Sequence, residues 1–333
     1  MMVDGGWWRD SLIEALSGAA AGATTRTVMA PLDRLKLVVQ LQGSISQKAK
    51  DKGGNKHTHY SRTMGPWKAL RTMLQQEGSI WALWRGNVPT LWIQGGTSAL
   101  NFAFMDGYKK MARHVVVVER LDNPQPQQQE RYRRLGQSLL SGGLAGATAM
   151  TVLYPLGVMR TQLALDMGRT DVRQYPRGMR DVFWQSIRSG GILRGLYPGY
   201  GVALASVSLY RMVYLGGYDF FKSELLVQRG LPSDSPASCL PFAERFVMAQ
   251  IVSILASTAH YPLDSIRRRL MMQSDKTAAE KIYRSAWHCM QTIYRNEGIR
   301  GFYLGLGTNY IRSVGGALLL VSYDFFRGIL VRE

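Results

Sequence analysis

The chain is short of acidic residues and of cysteine. Its 333 residues include 41 Lys and Arg against 23 Asp and Glu, a formal net charge of +18, and only two cysteines. Cys239 and Cys289 cannot build a disulfide framework and do not have the spacing of metal ligands. A reducing or redox-indifferent compartment fits this composition. The basic surplus is typical of proteins that meet nucleic acid, anionic lipid or an anionic solute.

Signals for secretion and for catalysis are also missing. The start, MMVDGGWWRDSLIEAL, lacks the apolar core of a secretory signal and the Arg-rich, acid-poor composition of a transit peptide, so we expect internal targeting information. No nucleophile, base and orienting group can be assembled, and no phosphate-cradling glycine loop is found. We therefore expect neither an enzyme nor a metal site or cofactor.

Long runs without a charge exclude a soluble DNA-binding surface. Residues 135–159 are 25 uncharged residues, residues 86–105 are another 20, and residues 246–262 are uncharged apart from His260. About 20 apolar residues cross a bilayer as a helix. Two further candidate spans each contain one arginine, Arg26 and Arg211, which is costly unless the side chain faces water. We expect a polytopic membrane protein with a wet interior and no nucleic-acid partner.

Three elements recur at intervals of about 100 residues. The first, Pro-x-acid-x-x-base, begins at Pro31 and Pro262, and at Pro155 it returns with Gly157 in place of the acid. The second, Glu-Gly, stands at 77–78 and 297–298 with a Ser-Gly remnant at 189–190. The third, Asp-x-x-base, stands at 106–109, 219–222 and 324–327. Each repeat predicts an apolar helix with a proline, a short amphipathic helix and a second apolar helix.

These repeats predict the fold class. We expect an all-α membrane protein with six transmembrane helices in three pseudosymmetric repeats, each with a short amphipathic helix, and with both termini on one side. The repeats are assigned to residues 1–122, 123–230 and 231–333. A polar insert at 43–59 lengthens the first connection and is expected to be disordered.

The repeated charges predict two rings of breakable ion pairs. Three occurrences at matching points favour pairing between neighbouring repeats over three local pairs. Because desolvation roughly cancels the attraction in a buried pair, such rings suit gates that must open. The residues of one ring are Asp33, Lys36, Arg160, Asp264 and Arg267. Those of the other are Asp106, Lys109, Asp219, Lys222, Asp324 and Arg327.

Three arginines have no balancing acid nearby in the sequence: Arg26, Arg268 and Arg312. A guanidinium group is the preferred partner of phosphate and carboxylate. We therefore expect a multiply charged anion between the two gates, carried by alternating access as in other repeat-built transporters.

The combination of the three elements resembles the mitochondrial carrier family over essentially the whole chain. Within it, RRRLMMQ at 267–273, ALNFAF at 99–104, SGGLAGAT at 141–148 and RSVGGA at 312–317 are most similar to the ADP/ATP carriers. The resemblance implies a bundle in the mitochondrial inner membrane, with termini toward the intermembrane space and the amphipathic helices on the matrix side. It also implies exchange of ADP and ATP by a monomer that binds cardiolipin.

Position by position, the resemblance implies a nucleotide site and names the two rings. The ring at the proline elements becomes the matrix gate, with Gln40 implied as its brace, and the other ring becomes the cytoplasmic gate. The residues implied to bind substrate are Arg26, Asn101, Ser206, Val207, Tyr210, Arg268 and Arg312. Tyr210 would stack with adenine and the arginines would contact phosphate. Arg269 is left as a solvated or lipid-facing base, and His260 as a cavity-lining hydrogen-bonding group.

Two departures from the family pattern leave alternatives open. Ile93 stands where the family has a phosphate-binding arginine, and Gly157 deprives Arg267 of its acid, so two of three matrix links can form. An ADP/ATP exchanger that tolerates both changes is one interpretation. A diverged paralogue serving as an accessory subunit of an inner-membrane respiratory complex is another. Carriers of coenzyme A or Mg-ATP are a third.

Overall fold

The computed structural model describes residues 7–51, 65–120, 127–166, 174–230, 241–277 and 279–313, and within these ranges the chain is helical and contains no strand. The long helices are α1 (Trp7–Asp51), α3 (Asn87–Arg120), α4 (Gln127–Leu165), α6 (Tyr200–Gln228) and α7 (Phe242–Met271). The shorter ones are α2 (Pro66–Glu77), α5 (Met179–Leu196), α8 (Ala286–Glu297) and α9 (Leu306–Ser313). Two 3₁₀ helices span Ile80–Trp84 and Ile299–Tyr303.

The predicted order of helices within a repeat is confirmed. Pro31, Pro155 and Pro262 lie inside α1, α4 and α7, and a short helix follows each of these long ones. The short helices bury one face, as Met73 does in α2 and Ile293 in α8. Because each short helix has only one apolar face, it lies flat against the end of its repeat.

Each short amphipathic segment has a glycine with positive φ at a turn. Gly78 and Gly298 follow α2 and α8 with φ of 67° and 68°, values that glycine adopts without a Cβ penalty. In the second repeat the residue with φ of 68° is Gly191, inside α5, rather than Gly190. The turn therefore falls one residue later than the Ser-Gly remnant indicated.

Neighbouring helices close into a ring around a central cavity. Helix α3 packs along α4, α6 packs along α7, and α9 packs against α1. Large apolar side chains point outward from three of these helices, among them Val152, Met212, Leu215, Val247 and Ile251. An apolar outer surface with a polar interior is the arrangement that a bilayer requires.

One helical stretch of the described residues, Ala243–Met271, qualifies as a membrane span by length and apolar composition alone. Other long helices carry charges in their middle, as α1 does at Arg26, and that side chain lines the cavity. A helix with one face on water need not be uniformly apolar.

The expected disorder of the insert at 43–59 is wrong for its first half. Helix α1 continues through Asp51, so residues 43–51 are helical. Gln47, Lys48, Ala49 and Lys50 are strong helix formers, which favours the continuation of the helix. The rest of the insert lies outside the described residues.

Candidate functional site

A central cavity of about 500 Å³ is lined by residues of α1, α3, α6, α7 and α9. Five of the predicted substrate-binding residues line it: Arg26, Ser206, Val207, Tyr210 and Arg268. Asn101 is not among the lining residues, and its buried Oδ1 finds no hydrogen-bond partner in the described part of the chain. The side chain of Arg312 lies outside the described residues.

The cavity wall is positively charged. Arg26, Lys36, Arg267 and Arg268 face it, against the carboxylates of Asp33 and Asp264, a surplus of two positive charges. These cations come from two helices, α1 and α7. Such a surface suits an anion with several negative charges.

Gln94, which the sequence interpretation did not single out, holds Arg26. The Nε and Nη2 groups of Arg26 donate to Oε1 of Gln94 at 3.2 and 3.1 Å. Because guanidinium only donates, the amide oxygen of Gln94 must face it, which leaves the amide NH₂ as a further donor. Ile93, the position at which the family pattern expects an arginine, does not line the cavity, whereas its neighbour does.

The floor of the cavity is built from the proline elements. Arg160 pairs with Asp33 at 2.6 Å and Lys36 with Asp264 at 3.7 Å, which join α4 to α1 and α1 to α7. Gln40 lies beneath them and donates to Asp264 at 3.3 Å and to Ser265 at 3.0 Å. The two links that the sequence left possible are both present.

Two further hydrogen bonds fix the positions of cations that line the cavity. Arg268, predicted to face a nucleotide phosphate, lines the cavity but also donates to Asp264 one helical turn away, at 2.8 Å. Lys36 donates to Oδ1 of Asn309 on α9 at 2.8 Å. Asn309 carries no charge and belongs to no repeated element, so no sequence signal pointed to it.

The third link of the floor is missing, as Gly157 predicted. Arg267 forms no ion pair in the described part of the chain, and its Nε is buried without a hydrogen-bond partner. Its guanidinium carbon lies 5.3 Å from the ring centroid of Tyr154. A Cβ placed on Gly157 would lie 3.9 Å from Nη2 of Arg267, so the missing acid would stand beside this arginine.

The prediction that Arg269 is solvated or faces lipid is wrong. Its side chain is 1% exposed and makes a bidentate pair with Glu297, with two N–O distances of 2.6 Å. In the first repeat the matching glutamate, Glu77, pairs with Arg34 at 2.7 and 2.5 Å, although Arg34 stands three residues after its proline and Arg269 seven. The glutamate of each Glu-Gly element therefore anchors its short helix to the long helix before it. The sequence contained a signal for these pairs, because repeats one and three each have this glutamate together with an additional arginine on the preceding long helix.

The second repeat replaces that ion pair with neutral groups. Gln162 stands seven residues after Pro155, as Arg269 does after Pro262, and Ser189 replaces the glutamate. Gln162 Nε2 donates to the carbonyls of Met271 and Met272 at 2.9 Å, and Ser189 donates to the carbonyl of Asp275 at 2.6 Å. Both side chains thus bind repeat three instead of each other.

Buried polar groups complete this junction between repeats two and three. Gln174 Nε2 donates to Asp275 at 2.6 Å, and the amide of Tyr175 donates to Asp166 at 3.1 Å. Burial raises the pKa of the Tyr175 phenol well above its usual range, and the neighbouring carboxylates of Asp275 and Asp166 add to the shift. The phenol therefore remains a neutral donor.

Aromatic rings form one wall of the cavity. Tyr210 lies 5.1 Å from the ring of His260 and 5.8 Å from that of Tyr214, the second pair being stacked. Nδ1 of His260 is 2.8 Å from the carbonyl of Ala256, so this nitrogen carries the proton. His260 lines the cavity, where the sequence interpretation placed it.

Most of the second ring cannot be placed. Asp219 is exposed and Lys222 half-buried on α6, and neither forms an ion pair in the described part of the chain. The side chains of Asp106 and Lys109, and all of Asp324 and Arg327, lie outside the described residues. This ring stays a prediction.

The family described as mitochondrial carrier protein matches residues 8–115, 132–229 and 238–333. The chain therefore belongs to the mitochondrial carrier family, and that membership supports a transport function.

Individual relatives are similar along nearly the whole chain. ADP/ATP translocase 4 of Mus musculus is 34% identical over 317 residues, which cover 95% of this chain and 89% of the relative. Mitochondrial substrate carrier family protein ancA of Dictyostelium discoideum is 36% identical, with 95% and 91% covered. ADP/ATP translocase 3 of Homo sapiens is 33% identical, with 95% and 96% covered. All three are named as carriers or translocases rather than as enzymes.

Proposed function

We propose that the chain exchanges ADP for ATP across the mitochondrial inner membrane. The observation that carries this proposal is the cavity itself, in which guanidinium and ammonium groups from two helices outnumber carboxylates by two. The oxygen atoms of a di- or triphosphate match such a set of donors. The aromatic wall of Tyr210 beside them suits a stacked base. The names of the translocase relatives point to the same nucleotides.

The mechanism that fits is alternating access by a monomer. The ion pairs Asp33–Arg160 and Lys36–Asp264 act as the matrix gate, with Gln40 as its brace, and the Asp-x-x-base elements act as the cytoplasmic gate. Substrate entering the cavity competes for the cations of the closed gate, so its charge offsets the cost of opening. Both pairs are largely buried, so desolvation roughly cancels their attraction, and a bound nucleotide can outweigh what remains.

The same proposal covers topology and lipid. The termini would face the intermembrane space, which puts α2, α5 and α8 on the matrix side. The helix caps Gly65 and Gly178 offer no side chain to the first N–H groups of α2 and α5, and phosphate binds well at such helix starts. Cardiolipin is the proposed occupant, and its removal is expected to lower thermal stability.

The proposal is tested by reconstitution in cardiolipin-containing liposomes. Labelled ADP should enter only when the liposomes contain ADP or ATP, and a purified sample should be thermally stabilised by ADP. Coenzyme A and Mg-ATP, offered as internal counter-substrates, separate the related carriers. Absence of nucleotide-dependent uptake by folded protein would contradict the proposal.

The junction between repeats two and three favours a second candidate. Gln162 and Ser189 fix repeat two to residues 271–275 through uncharged bonds that a nucleotide cannot compete for. A chain held rigid there would suit an accessory subunit of an inner-membrane respiratory complex. Such a subunit would co-purify in a constant ratio with its partners from mild detergent and would not respond to nucleotides.

A further inference from the structure

One arginine at the floor of the cavity forms no ion pair among the described residues. Arg267 lines the cavity together with Arg26 and Arg268, yet it has no carboxylate partner among the described residues. An arginine whose Nε is buried without a partner retains hydrogen-bonding capacity that an incoming anion can satisfy.

Gly157 is the reason that this arginine is unpaired. An acid at this position would stand beside Arg267, as Asp33 stands beside Arg160 and Asp264 beside Lys36. The other two floor cations form ion pairs with those carboxylates. Arg267 forms no ion pair among the described residues, and its guanidinium carbon lies 5.3 Å from the ring centroid of Tyr154.

The chain also lacks a cation higher in the cavity. Ile93 is apolar, and the residue that faces the cavity beside it, Gln94, is neutral and already accepts from Arg26. Compared with the family pattern, the chain therefore has no arginine at position 93 of α3. It has instead an arginine at the floor, Arg267, that forms no ion pair among the described residues.

We propose that Arg267 is a substrate-binding residue that contacts the phosphate groups of the transported nucleotide, in addition to any role in the gate. This inference rests on the proposed nucleotide exchange. The planar guanidinium presents paired donors that match two oxygens of one phosphate group. The ligand would lie with its phosphates toward the floor and its base toward Tyr210.

The substitution Gly157→Asp tests this by giving Arg267 a carboxylate. If Arg267 binds phosphate, the new carboxylate competes with the ligand, and the dissociation constant for ADP should rise about tenfold or more. If Arg267 serves only the gate, the variant stabilises the closed floor, and ADP binding is unchanged or tighter. Binding is measured at equilibrium on purified full-length protein, so the result does not depend on transport.

Matched controls remove the effects of size and helix propensity. Gly157→Asn has nearly the same shape without the charge and should bind ADP almost as well as the natural chain. Arg267→Gln with Gly157 retained removes the guanidinium group without adding a carboxylate, so it should weaken ADP binding about as much as Gly157→Asp does. Adenosine, which has no phosphate, should bind all variants alike.

The outcomes separate the two proposals. Equal ADP affinity for Gly157→Asp and Gly157→Asn, in protein shown to be folded by its thermal transition, overturns the assignment of Arg267. A natural chain that binds no adenine nucleotide overturns the proposed function instead. Selective loss of ADP affinity in Gly157→Asp, matched by a similar loss in Arg267→Gln, supports both.

Discussion

The buried pair between Arg269 and Glu297 gives the sharpest prediction for stability. Glu297→Gln keeps the shape of the side chain but removes its charge, while Arg269, 1% exposed, stays protonated. Leaving one charge of a buried pair uncompensated costs about 3–5 kcal/mol. Unfolding entropy grows with chain length, so this loss corresponds to a fall in the melting temperature on the order of 5 °C.

The assay is thermal unfolding of detergent-purified protein, followed by tryptophan fluorescence. The matched control is Arg269→Gln combined with Glu297→Ser, which transplants the neutral residues found at the same positions of repeat two, Gln162 and Ser189. This double variant should be more stable than Glu297→Gln, because it buries no unpaired charge. A single variant that melts within 1 °C of the natural chain would refute the reasoning.

Three further predictions follow from other contacts. Burial raises the pKa of the Cys289 thiol to about 12, so in a Cys239→Ser background a maleimide should label the protein at pH 8 only after unfolding. The unfolded thiol has a pKa of about 8.5, below that of the folded thiol. The contribution of this thiol to stability is therefore complete below about pH 8.5 and is lost as the pH rises toward about 12. The loss would be measured as a fall in the melting temperature over that range. Gln94→Leu removes two bonds to Arg26 and should raise the KM for ADP several-fold, with a smaller change in melting temperature, whereas an unchanged KM would show that Arg26 is positioned without it. Gln162→Leu removes the side-chain donor to the Met272 carbonyl and the acceptor of the Tyr175 hydroxyl, so it should cost about 1–3 kcal/mol of stability without altering ADP affinity, and denaturant unfolding would check this.

The helical plan was readable from the sequence because it is repeated. A proline inside an apolar stretch, a short amphipathic segment and a turn glycine recur in each third, and chance rarely matches three such features three times. The pairing of Asp33 with Arg160 also followed, since each acid and base recurs at a fixed place in its repeat. Local pattern and internal symmetry were sufficient for these features.

Contacts that break the symmetry could not be predicted in this way. Arg269 looked like one base of a solvated triplet, because its partner Glu297 lies 28 residues away and reaches it only through the return of α8. Gln94 and Asn309 are neutral and unrepeated, so charge counting passed over both. Their roles depend on which face of a helix meets the cavity. Successive residues of a helix point in directions about 100° apart, so neighbours such as Ile93 and Gln94 lie on different faces.

The neutral junction of the second repeat also bears on how such a chain can change over generations. Replacing an arginine–glutamate pair one residue at a time passes through a form with a lone buried charge, at a cost of about 3–5 kcal/mol. Because each single substitution is destabilising, we expect the pairs Arg34–Glu77 and Arg269–Glu297 to change rarely during evolution. Gln162 and Ser189 are uncharged, so replacing either one leaves no lone buried charge. These two positions should therefore vary more among descendants than the two arginine–glutamate pairs.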